Sequence, residues 1–366
     1  MDTLYQRIFE ELYRMIAEGQ YKAGDLLPTE QELCEKYNVS RITASRALNE
    51  LRAQNLIERK KKKGSTVLSC PLTKLQKPRT IAIVFSDFDN FKNKIVSAVS
   101  PFAQKHNYTV ITFDSAHSKK KEREILKELI GQNLSGLILW PITRSSNLDI
   151  LYQFVLNNIP LCFLDYPSYG IKAPCVSSDN YGGMYNITKH LIALGHTRIA
   201  YFPFKENFLP TEEERFSGYC RAIIEGGAIL DPKYFLPMPE NIKNTTTENV
   251  GRYGHCAQYA INYIASLPLR PTAIVCVNDA TACHIARSAR ESGFKIPQDL
   301  CVTGFDNIAL AVENDITTVS QDFGEMTRLA MNLILRQISQ PDTINNCDST
   351  SRLRSVIWER GSTKKL

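Results

Sequence analysis

Apolar residues near the start of the chain recur at every fourth position, close to the period of an α-helix. This spacing predicts an amphipathic helix over residues 3–18, whose apolar stripe is formed by Leu4, Ile8, Leu12 and Ile16. A second helix is predicted after Thr29, which is a suitable N-cap because Glu32 lies in the first turn. Ser40 is placed to cap a third helix that runs to about residue 54. Its predicted buried face is formed by Ala44, Ala47, Leu48 and Leu51.

Two short β-prone runs follow the third helix, over residues 56–59 and 64–68, and a basic tip separates them. Such a pattern is typical of a β-hairpin. Residues 71–78 then carry little apolar content between two prolines, which predicts a linker. Helix, short turn, helix and basic hairpin together form the layout of a winged helix-turn-helix domain.

From Thr80 onward, short runs of valine, isoleucine and leucine alternate with helical patterns. The predicted strands cover residues 81–85, 108–113, 136–140, 160–164, 199–202, 273–277 and 301–305. The predicted helices between them include residues 180–194, 214–225, 251–265 and 281–291. This alternation predicts doubly wound parallel sheets, and the length of the region favours two α/β lobes over one.

The fold class that follows is an N-terminal winged helix-turn-helix joined to a two-lobed α/β domain. We predict a winged helix-turn-helix domain over residues 1–70, a linker over residues 71–79, and a two-lobed α/β domain over residues 80–366.

The net charge of +6 is too small to indicate nucleic-acid binding by itself, so the position of the cations matters more. Five consecutive cations, from Arg59 to Lys63, fall on the tip of the hairpin, where they are placed to lie along DNA phosphates. Gly64 allows the tight turn beside them. A lysine run is also typical of a solvated loop, but its place directly after the third helix favours DNA.

The third helix presents polar and basic side chains at its N-terminal end, where a recognition helix contacts base edges. Arg41 and Arg46 are able to donate two hydrogen bonds each to guanine or to phosphate. The residues predicted to contact DNA are Ser40, Arg41, Thr43, Ser45, Arg46, Arg59, Lys62, Lys63 and Gly64.

The sequence lacks the common motifs of catalytic and cofactor-binding sites. It has no phosphate-binding loop, no glycine-rich dinucleotide fingerprint and no serine nucleophile elbow, which argues against an enzyme. The ten cysteines have no Cys-x-x-Cys spacing, so we predict reduced, structural thiols and neither a metal nor a cofactor. No apolar run approaches the length of a membrane span and the first residues lack a signal pattern, which predicts a cytoplasmic protein.

Residues 27–33 (LPTEQEL) and 39–48 (VSRITASRAL) resemble the GntR family of bacterial regulators, and the match extends over residues 1–68. Ser45 departs from the pattern, since the family often has arginine there. The base preference of a relative therefore does not transfer to this chain.

The rest of the chain resembles the LacI/periplasmic-sugar-binding type of effector domain over residues 80–361. The supporting stretches are residues 159–165, 176–180, 190–200, 214–219, 276–279, 302–307, 317–323 and 358–363. A GntR-type reader on a LacI-type sensor is similar to the arabinose-repressor subfamily.

Polar residues at strand ends predict where an effector binds, because ligands of open α/β sheets lie beyond the carboxyl ends of the strands. Trp140, Asp165, Asn278 and Asp306 all end predicted strands, and carboxylates, an amide and an aromatic ring suit a polyol. The resemblance places the effector contacts at Asp165, Arg215, Asn278, Asp306 and Gln321, with Ser86 and Trp140 added from strand-end loops. Other roles remain open: Arg215 as a salt link between the lobes, and Asp179 and Asp279 as helix N-caps.

These observations predict a homodimeric transcription regulator, in preference a repressor of carbohydrate-utilisation genes, that binds double-stranded operator DNA and a neutral monosaccharide, such as a pentose or deoxyhexose. Alternatives are a nucleobase or a phosphorylated sugar as effector, and a soluble sugar-binding protein without a DNA role, although the latter needs a secretion signal.

Overall fold

A computed structural model describes the chain over residues 4–53, 56–60, 64–68, 79–86, 91–132, 134–203, 209–239, 250–340 and 349–366. The chain divides into two compact units, Met1–Pro78 and Arg79–Leu366. The predicted linker lies outside the described residues apart from Arg79, and so do the predicted DNA contacts of Lys62 and Lys63.

The first unit consists of helices and a hairpin. Its elements are α1 (Leu4–Ala17), α2 (Glu30–Tyr37), α3 (Arg41–Ala53), β1 (Ile57–Lys60) and β2 (Gly64–Val67). Ile8, Leu12 and Ile16 are each 1% exposed, which confirms the predicted apolar stripe of α1, whereas Leu4 at its first turn is exposed.

Side-chain caps fix the starts of α2 and α3. The Thr29 backbone N–H donates to Glu32 Oε2 over 2.7 Å, and the Glu32 N–H donates back to Thr29 Oγ1 over 3.3 Å. The Thr43 N–H donates to Ser40 Oγ over 3.3 Å, so both predicted caps are confirmed. The residues predicted to form the buried face of α3 are all buried: Ala44, Ala47, Leu48 and Leu51.

The hairpin forms as predicted. Strands β1 and β2 pair antiparallel, with Ile57 opposite Val67 and Lys60 opposite Gly64. Gly64 has a φ of 89°, a left-handed conformation that favours glycine over any residue with a Cβ.

The second unit alternates strands and helices. Its first elements are β3 (Thr80–Phe85), α4 (Lys92–His106), β4 (Thr109–Asp114), α5 (Lys119–Ile130), β5 (Gly136–Leu139), α6 (Leu148–Leu156), β6 (Leu161–Leu164), β7 (Cys175–Ser178), α7 (Asn180–Ala193), β8 (Ile199–Phe202) and α8 (Pro210–Gly226). They are followed by α9 (Val250–Ser266), β9 (Ala273–Cys276), α10 (Asp279–Glu291), β10 (Cys301–Asp306), α11 (Ala309–Glu313), β11 (Thr317–Ser320), α12 (Phe323–Ser339), β12 (Thr350–Leu353) and β13 (Val356–Trp358).

These strands form two sheets, each the centre of one lobe. Within the described residues, the first lobe has the strand order β12-β7-β6-β5-β3-β4, and all its pairs are parallel. The second lobe has the order β13-β11-β10-β9-β8, in which only β13 runs antiparallel to its neighbour. The predicted two-lobed, doubly wound architecture is confirmed.

The chain passes between the lobes at three described places. It crosses from β7 to α7 at Asp179, from β11 to α12 at Gln321 and Asp322, and from β12 to β13 at Arg354 and Ser355. The carboxyl ends of the parallel strands carry most of the predicted effector contacts. None of the helices in the described ranges is long and apolar enough to cross a membrane.

The two helices α7 and α8 touch at Gly218, and this contact predicts a stability effect. A Cβ at Gly218 would lie 2.3 Å from the carbonyl oxygen of Tyr181 and 3.0 Å from the backbone nitrogen of Tyr185. Gly218→Ala therefore forces the helices apart, and we expect a loss of about 1–3 kcal/mol in the free energy of unfolding, measured by urea denaturation. The matched control is Gly254→Ala in α9, whose Cβ meets only the end of the Arg287 side chain at 3.4 Å. This change should be neutral or stabilise the protein by up to about 1 kcal/mol, since alanine favours helix. If both changes alter the free energy of unfolding equally, the close contact at Gly218 does not determine the effect of Gly218→Ala.

Candidate functional site

The exposed face of α3 carries the predicted base-reading residues. The Arg41 side chain is 83% exposed, although its Nε donates to Glu30 Oε2 over 2.8 Å. Ile42, the next residue, is 82% exposed, which is unusual for a large apolar side chain in this fold. An arginine and an isoleucine thus project from the first turn of the helix, beside each other in the sequence.

Arg59 was predicted to lie on the hairpin tip, but it lies within β1 and its side chain contacts the protein. Its Nη1 donates to Asn49 Oδ1 over 2.6 Å and lies 3.4 Å from both the carbonyl and hydroxyl oxygens of Ser45, while its Nη2 forms an ion pair with Glu30. The hydrogen bonds that the Glu30 carboxylate accepts from Arg41 and Arg59 lower its pKa to about 2, so the carboxylate stays ionised. Arg59 therefore anchors β1 to α2 and α3, and its contact with DNA phosphates remains a prediction.

The remaining predicted DNA contacts lie on the same unit. Arg46 stacks over the ring of Tyr5, with 4.0 Å between its guanidinium carbon and the ring centroid. Thr43 Oγ1 lies 2.9 Å from Ser40 Oγ at the start of α3, and Gly64 begins the second strand of the hairpin. The described part of this unit therefore presents a helix with an uncovered, basic N-terminal half beside a two-stranded hairpin.

A cleft between the two lobes brings together four of the seven predicted effector contacts. Asp165 follows β6 in the first lobe, Asp306 ends β10, Gln321 follows β11, and Arg215 lies on α8 in the second lobe. Asp306 Oδ1 accepts from Gln321 Nε2 over 2.5 Å and lies 3.5 Å from Arg215 Nη2. Asp165 Oδ2 accepts from Thr211 Oγ1 of α8 over 3.4 Å, which places it within the same cleft.

Arg215 is held on all three of its nitrogen atoms. Nε donates to Asn180 Oδ1 and Nη1 to the carbonyl oxygen of Val277, both over 2.9 Å, and Nη2 faces Asp306. Its guanidinium also stacks on Phe305 at 3.9 Å. All these partners lie in the second lobe, and the alternative role of Arg215 as a salt link between the lobes stays a prediction.

Asp165 and Gln321 each present a buried oxygen without a partner. Among the described residues, Asp165 Oδ1 and Gln321 Oε1 accept no hydrogen bond. Burial raises the pKa of Asp165 to about 7; the positive charge of Arg215 opposes this shift and the negative charge of Asp306 adds to it. A buried acceptor without a donor is costly, so these two atoms are available to accept hydrogen bonds in the cleft.

Trp140 packs against an aromatic cluster in the core of the first lobe. Phe323 stacks on Phe91 with 3.8 Å between the ring centroids and on Trp140 with 5.3 Å. Trp140 follows β5, as predicted, but Phe91 and Phe323 come from the starts of α4 and α12 and were not predicted. Phe91 and Phe323 are themselves buried, so the ring of this cluster that is partly exposed is that of Trp140.

Ser86 and Asn278, which follow β3 and β9, each accept a hydrogen bond from the backbone N–H of another residue. The carbonyl oxygen of buried Ser86 accepts from the His117 N–H over 3.0 Å. Asn278 Oδ1 accepts from the Thr281 N–H over 2.9 Å and so is the N-cap of α10. Their contacts with an effector remain predictions.

The prediction that Asp279 caps this helix is wrong. Asp279 is fully buried: its Oδ1 accepts from Thr318 Oγ1 over 2.5 Å and its Oδ2 from the Ile308 N–H over 3.0 Å. It ties α10 to β11 and to the segment that follows β10, and burial raises its pKa to about 8. Asp179 does cap α7 as predicted, accepting from the Gly182 N–H over 2.8 Å.

A cavity of about 570 Å³ adjoins the crossing at Asp179 and is lined by both lobes. The Arg352 Nη2 of the first lobe lies 2.8 Å from Glu214 Oε1 of the second and links the two walls. Arg144 also lines this cavity, and its Nε has no partner among the described residues. The cavity is mixed in charge, in contrast to the acceptor-rich centre of the cleft.

Two family profiles match this chain. The profile described as bacterial regulatory proteins, gntR family, matches residues 4–67, and that of a periplasmic binding protein-like domain matches residues 188–363. The first covers the helices and hairpin of the first unit, and the second covers most of the second lobe and the final crossings.

Relatives align over nearly the whole chain. The arabinose metabolism transcriptional repressor of Geobacillus stearothermophilus is 30% identical over 99% of this chain and 98% of its own length. The HTH-type transcriptional repressor CytR of Escherichia coli K12 is 28% identical over 94% of this chain and 99% of its own length.

Solved structures share the fold of the larger unit. A LacI family transcriptional regulator from Enterococcus faecium with bound ribose superposes with a TM-score of 0.63 at 22% identity, covering 78% of this chain and 99% of that chain. A complex of the transcriptional regulator CelR with cellobiose gives a TM-score of 0.65 at 19% identity, covering 88% of this chain and 91% of that chain.

Proposed function

This chain belongs to the GntR family of bacterial regulators, in the branch with a periplasmic binding protein-like domain that includes the arabinose repressors, and from this premise we propose its ligand and mode of action. It is a DNA-binding transcription regulator with a small-molecule effector. The proposed effector is a neutral monosaccharide held between the lobes, and the proposed role is repression of carbohydrate-utilisation genes by a cytoplasmic homodimer without catalytic activity.

The hydrogen-bond balance of the cleft carries this proposal. The oxygens without partners, Asp165 Oδ1 and Gln321 Oε1, need donors, and sugar hydroxyls supply them. The cation at the centre of the cleft, Arg215, is already engaged with Asn180, Val277 and Asp306. A phosphate brings acceptors and negative charge to a place that already has both, so a neutral, donor-rich ligand fits better.

The position of the cleft supports a mechanism in which the ligand changes the relation of the lobes. Asp165 belongs to the first lobe, whereas Arg215 and Asp306 belong to the second and Gln321 lies in a crossing between them. A ligand that touches both lobes stabilises the arrangement in which both contacts are made. To shift operator binding from nearly full to nearly none, it must favour one arrangement by about 5.5 kcal/mol. In the proposed dimer, two first units occupy half-sites about one helical turn apart.

Thermal denaturation of the full chain with single ligands tests the proposed effector class. The panel pairs neutral pentoses and hexoses with their phosphates and adds free nucleobases. We expect one neutral sugar to raise the Tm, since a ligand at a hundred times its Kd stabilises by about 2.7 kcal/mol, and its phosphate to have no such effect. If only phosphorylated sugars stabilise, the proposal is wrong and Arg144 in the adjoining cavity becomes the site to examine. If only nucleobases do, the proposed sugar effector is wrong and Trp140 becomes the residue to examine.

Asp306→Asn should separate DNA binding from the response to the effector. The change removes the negative charge of the carboxylate that faces Arg215 and accepts a hydrogen bond from Gln321. It keeps the shape of the side chain. Asparagine also tolerates the φ of 117° at this position better than most residues. We expect unchanged operator affinity and loss of at least tenfold in effector affinity, measured by anisotropy and calorimetry. An unchanged response to the effector would remove Asp306 from the site.

A further inference from the structure

Neither the stability of the first unit nor contacts with its arginines explain why an isoleucine stands at the exposed position 42 of α3. It is 82% exposed, and isoleucine has a lower helix propensity than alanine or arginine, so the folded protein gains little from it there. We infer that Ile42 recognises the 5-methyl group of a thymine in the major groove of the operator. This inference rests on the proposed DNA-binding function and adds one base-specific contact to it.

The spacing along α3 places Ile42 on the face turned away from the protein. The buried residues of the helix are Ala44, Ala47, Leu48 and Leu51. A second stripe, at the i, i+3, i+4 and i+7 positions, consists of Ile42, Ser45, Arg46 and Asn49. The carboxyl-terminal end of this stripe is occupied by Arg59, which bonds to Ser45 and Asn49. Its N-terminal end, with Ile42, is left uncovered, and this is the end of a recognition helix that meets base edges.

The charge around Ile42 identifies the kind of partner. Arg41 precedes it with a side chain 83% exposed, and Arg46 lies one turn further on and is also exposed. Two cations beside one apolar side chain are a poor surface for another protein core, but they complement a polyanion. On the major-groove edges of DNA bases, the thymine methyl is the apolar group, and apolar side chains contact it directly.

The expected size of this contact follows from the area of one methyl group. Removing a thymine methyl that packs on Ile42 should weaken binding about three- to fivefold per contact. The same loss should appear when Ile42 is shortened to alanine. The two losses should not add, because each removes the same contact.

A double-mutant cycle with full-length protein tests the inference. The operator is first selected from random-sequence duplexes by the parent chain, and then each thymine in a half-site is replaced singly by deoxyuridine, which removes only the methyl group. Parent, Ile42→Ala and Ile42→Val proteins are compared by fluorescence anisotropy at fixed salt. Alanine raises helix propensity at this exposed position, so Ile42→Ala should fold, and its Tm is measured as a control.

We expect one thymine in each half-site at which deoxyuridine weakens binding of the parent and of Ile42→Val, but leaves binding of Ile42→Ala unchanged. If deoxyuridine weakens binding of the parent and of Ile42→Ala equally at every thymine, the role of Ile42 is overturned, but the proposed DNA-binding function is not. That role is also overturned if no deoxyuridine weakens binding of the parent. Absence of any sequence-selective binding by the parent would overturn the proposed function, and this inference with it.

Discussion

Arg41→Ala is expected to weaken operator binding at least about thirtyfold while leaving effector binding unchanged. The Arg41 side chain is exposed at the start of α3, where it is able to donate two hydrogen bonds to one guanine. Such a contact discriminates by about 1–3 kcal/mol, and a dimer loses it in both half-sites. Anisotropy titrations of parent and variant on the same duplex measure the loss.

The ion pair between Arg41 and Glu30 is exposed on the arginine side, so its removal should have little effect on the stability of the fold. The matched control is Arg123→Ala, which removes another exposed arginine from an ion pair, with Asp149 in the larger unit. This control should bind the operator like the parent. If Arg41→Ala also loses ligand-induced stabilisation, the residue supports the fold and does not read DNA; if operator binding is unchanged, it lies outside the DNA surface.

Asp165 should make effector affinity depend on pH, with weaker binding on the acid side. Its pKa in the empty cleft is about 7, because burial opposes ionisation. A hydroxyl that donates to Oδ1 favours the ionised carboxylate, so binding below pH 7 must release a proton. Affinity should then fall towards a limit of about tenfold per pH unit below 7. Calorimetry in buffers of different ionisation enthalpy detects the proton directly.

The same carboxyl affects the stability of the ligand-free protein with a definite sign. Between the ordinary value of 3.8 and about 7, the unfolded chain has lost this proton while the folded protein keeps it. Unfolding therefore releases a proton, and stability falls as pH rises through this range, by up to about 4 kcal/mol in total. Asp279, with a pKa raised to about 8, contributes a slope of the same sign.

Asp165→Asn should remove the pH dependence that this carboxyl gives to effector binding and weaken that binding at pH 8. It should also remove the contribution of Asp165 to the pH dependence of stability in the free protein, while the contribution of Asp279 stays. The control is Asp149→Asn, an exposed carboxylate whose pKa is lowered by Arg123, which should keep the parental pH profile of effector affinity. A parental profile in Asp165→Asn would show that this carboxyl is not at the effector.

The first unit was largely predictable from sequence because its signals are local. The apolar stripe of α1, the reciprocal cap of Thr29 and Glu32 and the cap at Ser40 involve residues within one or two turns of each other. The seven predicted strands of the larger unit were also found, since each is a short apolar run. Helix α8 begins at Pro210, four residues before the predicted start, because proline at the first turn is compatible with helix.

Strands β7, β11, β12 and β13 were missed, since none of them contains an apolar run longer than three residues. Strand β7 (CVSS) is fully buried but half polar, so neither an apolar run nor an alternation marks it. Strand β12 pairs with β7 across more than 170 residues of sequence, from Thr350 to Cys175. Such an edge strand is defined by its neighbour and not by its own pattern.

The site shows the same division between what is local and what depends on the fold. Asp165, Asp306 and Gln321 lie at or just after strand ends, so a rule about sheets places them near one cleft. The sequence analysis missed Asn180 and Thr211, since each contacts a cleft residue from the first turn of a helix, in a way that only the packed lobes determine. The exchange of roles between Asn278 and Asp279 has the same cause: the partners of Asp279 are Thr318 and Ile308, far along the chain.

Control of DNA binding by the cleft is tested most directly by anisotropy of the full chain on the DNA upstream of its own gene, across a salt series and with each ligand that raises the Tm. We predict tight binding that weakens steeply with salt, because phosphate contacts release counterions, and release of the DNA by one neutral sugar. Tighter binding with the sugar would reverse the proposed sign of control. Operator affinity that stays the same with every stabilising ligand would contradict the proposal that the cleft controls the reading of DNA.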